Sequence, residues 1–242
     1  MHKTRRMITV DGLAGSGKTS LSRELAKILK FKHLNSGLLY RAVGYLCLTH
    51  RIDPEDFEKV GGLLAKHTIL LTGSAESERG DIVLDSVVVT EKLLSPEVSE
   101  AASRVAQHQN VRTALIEHQR QAFPGESVVA EGRDMGTVIF PDADLKFFVE
   151  VDRDTRIKRR SAQLGLNSAD EPTRAAIMQE IVERDARDSM REAAPTKPAP
   201  DAIKIDNSSA PLTEVVNAMY DFASLRGLAC GISKAGIPKM QR

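Results

Sequence analysis

The 242-residue sequence predicts an α/β fold: a parallel sheet core with helices, interrupted by a small inserted antiparallel sheet and by an arginine-dense helical segment. Three observations predict it. Short apolar runs at residues 7–10, 126–130, 145–151 and 202–206 read as buried strands, and helix-period segments separate them. Residues 68–90 break that alternation with closely spaced β-rich pieces. From residue 153 the composition shifts to arginine and carboxylates at helical spacing.

The first strand, Met7–Val10, runs into Gly12-Leu-Ala-Gly-Ser-Gly-Lys-Thr19, which has the form G-x-x-x-x-G-K-[ST]. Behind it, residues 20–31 place Leu21, Leu25, Ala26, Ile28 and Leu29 on one helical face. A strand before and a helix after are the context that marks the motif as a phosphate-binding P-loop. Gly12, Gly15 and Gly17 let backbone N–H groups turn inward. The helix N-terminus adds positive potential for the β-phosphate of a nucleoside triphosphate. Lys18 is placed to bridge the β- and γ-phosphates, and the Thr19 hydroxyl to ligate Mg²⁺. The core is therefore expected to be a P-loop NTPase-type sandwich of α/β/α layers. The loop does not name the phosphoryl acceptor.

His33-Leu34 ends a short second strand, and Asn35-Ser36-Gly37 reads as a turn capping a helix over Leu38–Thr49, with Leu39, Val43, Leu46 and Cys47 inward. Ser36 and Arg41 are expected at the exposed N-terminal end of that helix, a place suited to an anion. Taken alone they read more simply as an ordinary cap and a solvated charge. Asp53-Pro54 signals the start of a further helix to Lys66, carrying Phe57, Val60, Leu63 and Leu64. Thr68–Thr72, Asp81–Asp85 and Val87–Thr90 form the inserted sheet, with residues 73–80 as a polar loop. Ser95-Pro96 restarts helix, and residues 99–122 form one or two helices with a break near Asn110.

Glu126–Ala130 has a buried-strand pattern and terminates in Glu131-Gly-Arg-Asp-Met-Gly-Thr137. Ligands gather at the carboxyl ends of strands in open α/β sheets, which is where this cluster falls. Glu131 and Asp134 can accept hydrogen bonds or hold Mg²⁺ through water, and Arg133 can bind a phosphate in a bidentate manner. The alternative is a tight turn with surface charges. After the turn at residues 140–144, Leu145–Val151 is the next buried strand.

Arg156, Arg159 and Arg160 fall on neighbouring turns of a helix that Gly165 breaks. A second helix, about Thr173–Arg191, carries Ile177, Ile181 and Val182 on one side and puts Arg184, Asp188 and Arg191 on one face. Such helices are ordinarily solvated. Arginine density beside a P-loop, in a chain of net charge +1, points instead to anion binding. Residues 193–200 are a Pro-rich connector and 202–206 a last strand. Asn207–Leu212 opens a final helix to about residue 225, with Val215, Val216, Met219 and Phe222 inward, and residues 227–242 are expected to be a loose tail.

The net charge of +1 gives no reason to invoke nucleic acid as a partner, and no run of 18 apolar residues suggests a membrane span. Cys47 and Cys230 lack ligand or redox spacing and are expected to be reduced thiols. The six histidines show no metal or triad spacing and are expected at the surface or partly buried. The basic start has no following apolar leader, so a cytoplasmic protein is expected.

The P-loop, Asn35-Ser-Gly-Leu-Leu-Tyr-Arg41, Glu131-Gly-Arg-Asp-Met-Gly-Thr137 and Glu183-Arg-Asp-Ala-Arg-Asp188 appear in that order. Together with the inserted sheet they resemble the bacterial cytidylate kinases along nearly the whole chain, to about residue 226. The G-R-D-M-G-T and E-R-D-x-R-D strings are specific to that family; the P-loop alone is not. The resemblance implies a monomeric P-loop nucleoside monophosphate kinase in pyrimidine nucleotide metabolism. It would transfer the γ-phosphoryl group of ATP, with Mg²⁺, to CMP or dCMP, giving CDP or dCDP and ADP. It also implies a core of about residues 1–37, 123–152 and 193–226, a monophosphate-binding region of about 38–122 and a mobile lid of about 153–192.

By the same resemblance Gly12, Leu13, Ala14, Gly15, Ser16, Gly17, Lys18, Thr19 and Ser20 hold ATP. Ser36, Arg41 and Arg133 lie at the acceptor phosphate, backed by Gly136; Ser103, Arg112, Asp134 and Arg191 face cytosine; Arg184 and Asp188 reach the sugar. Lys18, Arg133 and the lid residues Arg156 and Arg160 serve the transferring phosphoryl group. These roles suit the base, since cytosine offers an amino donor at C4 and acceptors at N3 and O2, whereas uracil would turn a carbonyl toward Asp134. Asn35 stands where the family usually has Asp, which removes a carboxylate near the phosphates. Kinases of shikimate or dephospho-coenzyme A are disfavoured by the cytosine-compatible set, a GTP switch by the lack of N-K-x-D, and a silent sensor by intact Lys18 and Thr19.

Overall fold

The first strand, β1 (Met7–Gly12), is buried at every position, as a strand covered on both faces must be. Its side chains alternate between two cores. Ile8 and Val10 join Val129, Phe147 and Val149 on one face. Met7 joins Leu34, Val128 and Ala130 on the other. The period of two thus feeds separate layers, and α1 (Lys18–Leu29) and α8 (Leu212–Leu225) supply Leu21, Leu25, Val215 and Met219 to the first. With β2 (Lys32–Asn35), β6 (Val128–Gly132), β7 (Leu145–Glu150) and β8 (Ile203–Asp206), β1 forms a parallel sheet in the order β2-β6-β1-β7-β8. The computed structural model describes residues 5–72, 80–163, 165–166 and 170–229. Cys230 and the tail beyond it, most of the 73–80 loop, and Asn167-Ser168 lie outside the described residues.

A second apolar core gathers α2 (Ser36–Thr49), α3 (Phe57–Lys66), α4 (Pro96–Val105) and α5 (Gln109–Arg120) against the inserted antiparallel sheet. That sheet pairs β3 (Ile69–Thr72), β4 (Asp81–Leu84) and β5 (Val87–Val88) in sequence order. Helices α2 and α4 pack so closely that a Cβ on Gly44 would stand 2.8 Å from the Ala102 nitrogen. Between α4 and α5 the chain breaks at residues 106–108, close to the expected break at Asn110.

Helix α3 starts later than Asp53-Pro54 suggests. Asp56 N–H first closes a turn onto the Asp53 carbonyl, and the Asp56 side chain then caps the helix by accepting from Lys59 N–H at 3.1 Å. The segment expected to be a lid forms α6 (Arg153–Gln163) and α7 (Glu171–Met190), joined by a small cluster of Ile157, Ile177 and Ile181. Val182, expected inward, is 41% exposed, because one residue past Ile181 the side chain has turned about 100° from the seam. Strand β6 also runs two residues further than its apolar pattern, taking in Glu131 and Gly132. Among the described residues no helix is long and apolar enough to cross a membrane.

Candidate active site

Gly17 opens α1 with φ 82°, a left-handed conformation that disfavours side chains, and a Cβ there would meet Asn207 Nδ2 at 2.5 Å. The loop's carbonyls are held by its own lysine and by side chains from outside it. Leu13 O accepts from Lys18 Nζ at 3.0 Å, Ala14 O from Arg156 Nε at 2.8 Å, and Ser16 O from Asn207 Nδ2 at 2.8 Å. Asn207 is therefore not a cap for α8, which begins at Leu212 after Pro211; it braces the P-loop. Arg159 Nη2 reinforces it by donating to Asn207 O at 2.8 Å. Lys18 is buried, and that burial, with Arg133 nearby, pushes its ammonium well below the usual lysine range. Anionic phosphate beside it would favour the charged form.

The carboxyl ends of β1, β2 and β6 stand side by side, with Asp11 opposite Gly132 and Asn35 opposite Glu131. Glu131 is buried, which does not fit the alternative of a tight turn with surface charges, and its Oε2 accepts from Thr19 Oγ1 at 2.8 Å. Its Oε1 lies 3.2 Å from His33 Nε2, without hydrogen-bond geometry. Burial alone would raise the Glu131 carboxyl; His33, Lys18 and Thr19 together hold it below the ordinary glutamate range. His33 itself is buried in β2, not partly exposed as expected of the histidines. Thr19 and Glu131 offer adjacent hard oxygen donors, which is the ligand chemistry Mg²⁺ takes when phosphates complete its shell. Among the described residues no three His, Cys, Asp or Glu side chains form a metal site by themselves.

Asp11 shares the β1 face of Met7 and Thr9, and that face meets a short π-helical turn at Met135–Ile139. Its carboxylate accepts from Met135 N–H at 2.9 Å and Gly136 N–H at 2.8 Å, fixing the backbone just beyond Asp134. Burial raises the Asp11 carboxyl to about 6, against the lowering effect of those two bonds. Gly136 accordingly stands behind the cavity as a hydrogen-bond donor to Asp11.

A single cavity of about 260 Å³ runs from Lys18 and Thr19 of the P-loop to Arg112, Asp134 and Arg191. Ser36, expected at an exposed helix end, is buried and donates to Glu131 O at 2.8 Å. The reason is register: Asn35 pairs with Glu131, so the next residue turns inward over β6. Asn35 flanks α2 with no side-chain cap bond. Asp134 is buried and ion-paired to Arg112 of α5, whose guanidinium lies 5.6 Å from the Tyr40 ring centroid. Arg191 ends α7, donates from Nε to Ala194 O at 2.7 Å, and brings Nη2 to 4.0 Å from Asp134 Oδ1. That Nη2 is buried without a hydrogen-bond partner. Ser103 of α4 accepts from Arg187 Nε at 3.2 Å.

Arg133 Nε donates to Asp188 at 2.9 Å, and Arg41 Nη1 to Leu93 O at 2.7 Å. Burial works to raise Asp188, but Arg133 and Arg184 hold it below the ordinary range. Burial, with Arg133 and Arg41 close by, lowers Arg184 to about 10. Of the α6 arginines, Arg160 lines the cavity and pairs with Glu180 at 2.6 Å. Arg156 does not line it; besides Ala14 it bonds Asp185 at 2.7 Å.

A family model for cytidylate kinase matches residues 8–224. The chain belongs to the cytidylate kinase family. The cytidylate kinase of Stutzerimonas stutzeri (strain A1501) is 39% identical over 95% of this chain and 100% of that protein. That of Pseudomonas paraeruginosa (strain DSM 24068 / PA7) is 38% identical over 91% of this chain and 96% of the relative. The chain also matches 42% of a bifunctional pantoate ligase/cytidylate kinase from Prochlorococcus marinus (strain NATL2A), at 36% identity over 91% of its own length. Within this family member the cavity gathers the sequence-singled residues from Ser36 to Arg191 except Gly136, Arg156 and Arg159. Sequence reasoning missed Asp11, Tyr40, Glu180, Asp185 and Asn207. Only Asp11 left a local signal, its place on the Met7–Thr9 face of a buried strand.

Proposed function

We propose that this cytidylate kinase family member transfers the γ-phosphoryl group of ATP to CMP or dCMP, giving ADP and CDP or dCDP. One observation carries the assignment of roles: the P-loop lysine and the buried Asp134–Arg112 pair, with Arg191 beside it, line one cavity. Asp134 accepts from the C4 amino group, and Arg112 and Arg191 donate to N3 and O2. Uracil inverts the C4 and N3 requirements and leaves buried groups unpaired.

Ser36, Arg41 and Arg133 hold the acceptor phosphate, while Arg184 and Asp188 reach the sugar. The second pKa of a monophosphate is near 6, so at neutral pH the attacking oxygen is already anionic and asks for no general base. That oxygen bonds to the γ-phosphorus as the bond to the β-phosphate oxygen breaks, and Lys18 neutralises the charge that moves to ADP. Mg²⁺, held by Thr19 with Glu131 behind it, would add Lewis-acid neutralisation of the phosphates. Residues 153–192 act as a lid that closes over the phosphates and excludes water. Support for a separate lid comes from its own cluster of Ile157, Ile177 and Ile181.

Turnover of the four ribonucleoside monophosphates with ATP and Mg²⁺ tests this. CMP is expected to be used far better than UMP, AMP or GMP. Faster phosphorylation of UMP or AMP would overturn the base assignment and leave the kinase class standing.

A further inference from the structure

The acceptor half of the cavity contains a hydroxyl with no role so far. Ser99, in α4, is 3% exposed and lines the cavity. Two guanidiniums from different helices converge on its oxygen. Arg41 Nη2 of α2 donates to Ser99 Oγ at 3.1 Å, and Arg184 Nη1 of α7 donates at 2.9 Å. A serine oxygen has two lone pairs and one O–H. Both lone pairs are engaged by cations, so the proton is what the hydroxyl can still give. Among the described residues it forms no hydrogen bond to a protein acceptor.

The surroundings define the missing acceptor. Arg133 is paired with Asp188 and Arg160 with Glu180. Arg41 and Arg184 have only neutral oxygens, Leu93 O and Ser99 Oγ, and no carboxylate within ion-pair distance among the described residues. Arg184 Nε is buried with no partner at all. A buried donor without a partner is costly, and a second guanidinium close beside it adds repulsion. An anion with several acceptor oxygens satisfies the hydroxyl and both guanidiniums together.

We propose that Ser99 is a further substrate-binding residue, whose hydroxyl ties Arg41 to Arg184 and donates its own proton to a non-bridging oxygen of the acceptor monophosphate. The inference rests on the monophosphate-kinase assignment above and adds to it a neutral linker between two arginines. Because Arg41 belongs to α2 and Arg184 to the lid, Ser99 also holds the two guanidiniums at a fixed spacing, and Arg184 then serves the phosphate as well as the sugar.

The test is calorimetric binding of CMP and of cytidine, which lacks the phosphate, to the full chain, with KM for CMP and for ATP measured alongside. Ser99→Ala is expected to weaken CMP about tenfold and to leave cytidine affinity and the KM for ATP within about twofold. Ser99→Cys, similar in shape but a weak donor and acceptor, is expected to behave like the alanine variant. Unchanged CMP affinity in Ser99→Ala, equal weakening of CMP and cytidine, or wild-type CMP affinity in Ser99→Cys would each overturn the role. A wild-type chain that binds no CMP overturns the underlying assignment, and this is seen before any substitution is made.

Discussion

Under the proposed assignment, the two halves of the cavity bind phosphate by opposite means. The donor half is contiguous: residues 12–19 present backbone groups and one lysine at the start of a single helix. The acceptor half takes side chains from α2, α4, α5, β6 and α7, between Ser36 and Arg191. Backbone N–H groups come with every residue, so a donor cradle needs only the right local conformation. A side-chain cradle needs several helices packed first. It must also manage its own repulsion, which here is done by Asp188, Glu180 and the neutral Ser99 oxygen.

That contrast can be broken most directly at Lys18. Lys18→Ala is expected to lower kcat by about three orders of magnitude or more while CMP affinity stays within a few-fold. A variant that kept its rate, or lost CMP binding instead, would dissolve the division between the halves. On the acceptor side, Asp134→Ala is expected to reduce the preference for CMP over UMP by about a hundredfold. The same change strands buried Arg112, so urea unfolding should show a loss of about 3–5 kcal/mol. Selectivity lost without stability would mean that Arg112 finds another partner.

Asp11 joins the halves, and its titration has a definite sign. Its folded pKa, about 6, lies above the ordinary 3.8, so between about pH 4 and 6 the folded chain keeps a proton that the unfolded chain has released. The Asp11 contribution to stability therefore falls as pH rises through that window, by about 3 kcal/mol in all. Glu131 and Asp188, both held low, act oppositely and lose stability as pH falls below the ordinary carboxylate range. Asp11→Asn removes that gain, so on going from pH 6 to pH 4 the variant's stability should change less favourably than the wild type's. Parallel unfolding curves for the two proteins would contradict the raised pKa. The smallest effect is expected at Ser95, whose side chain caps α4 by accepting from Val98 N–H at 3.2 Å. Ser95→Ala should cost about 1 kcal/mol and leave the KM for ATP unchanged, measured by unfolding and steady-state kinetics.

Much of the fold was legible in the sequence, because strand alternation and helix period are local consequences of burial. Boundaries were less so. Helix α3 begins after a turn at Asp53–Asp56, and β6 continues through Glu131, because a carboxylate can be buried when Thr19 and His33 stand beside it. Most of the site residues named by motif line the cavity, while Gly12, Leu13, Ser16, Gly17, Ser20, Gly136 and Arg156 do not, and some of the environments were misjudged. Ser36 is buried rather than exposed, and His33 lies inside the sheet. Tyr40, Glu180 and Asn207 gave no signal, since each acquires its role only from a partner far away in the chain.

What the sequence determined by itself is the donor loop, the alternation that buries β1 on both faces, and the order of the family strings. These depend on neighbours within a few residues. Only the tertiary structure decided that Asp11 fixes the turn after Asp134, that Asn207 braces the P-loop, and that Ser99 stands between Arg41 and Arg184. A hydrogen bond between side chains on different elements has no period along the chain, and it comes into being when packing brings its two ends within about 3 Å.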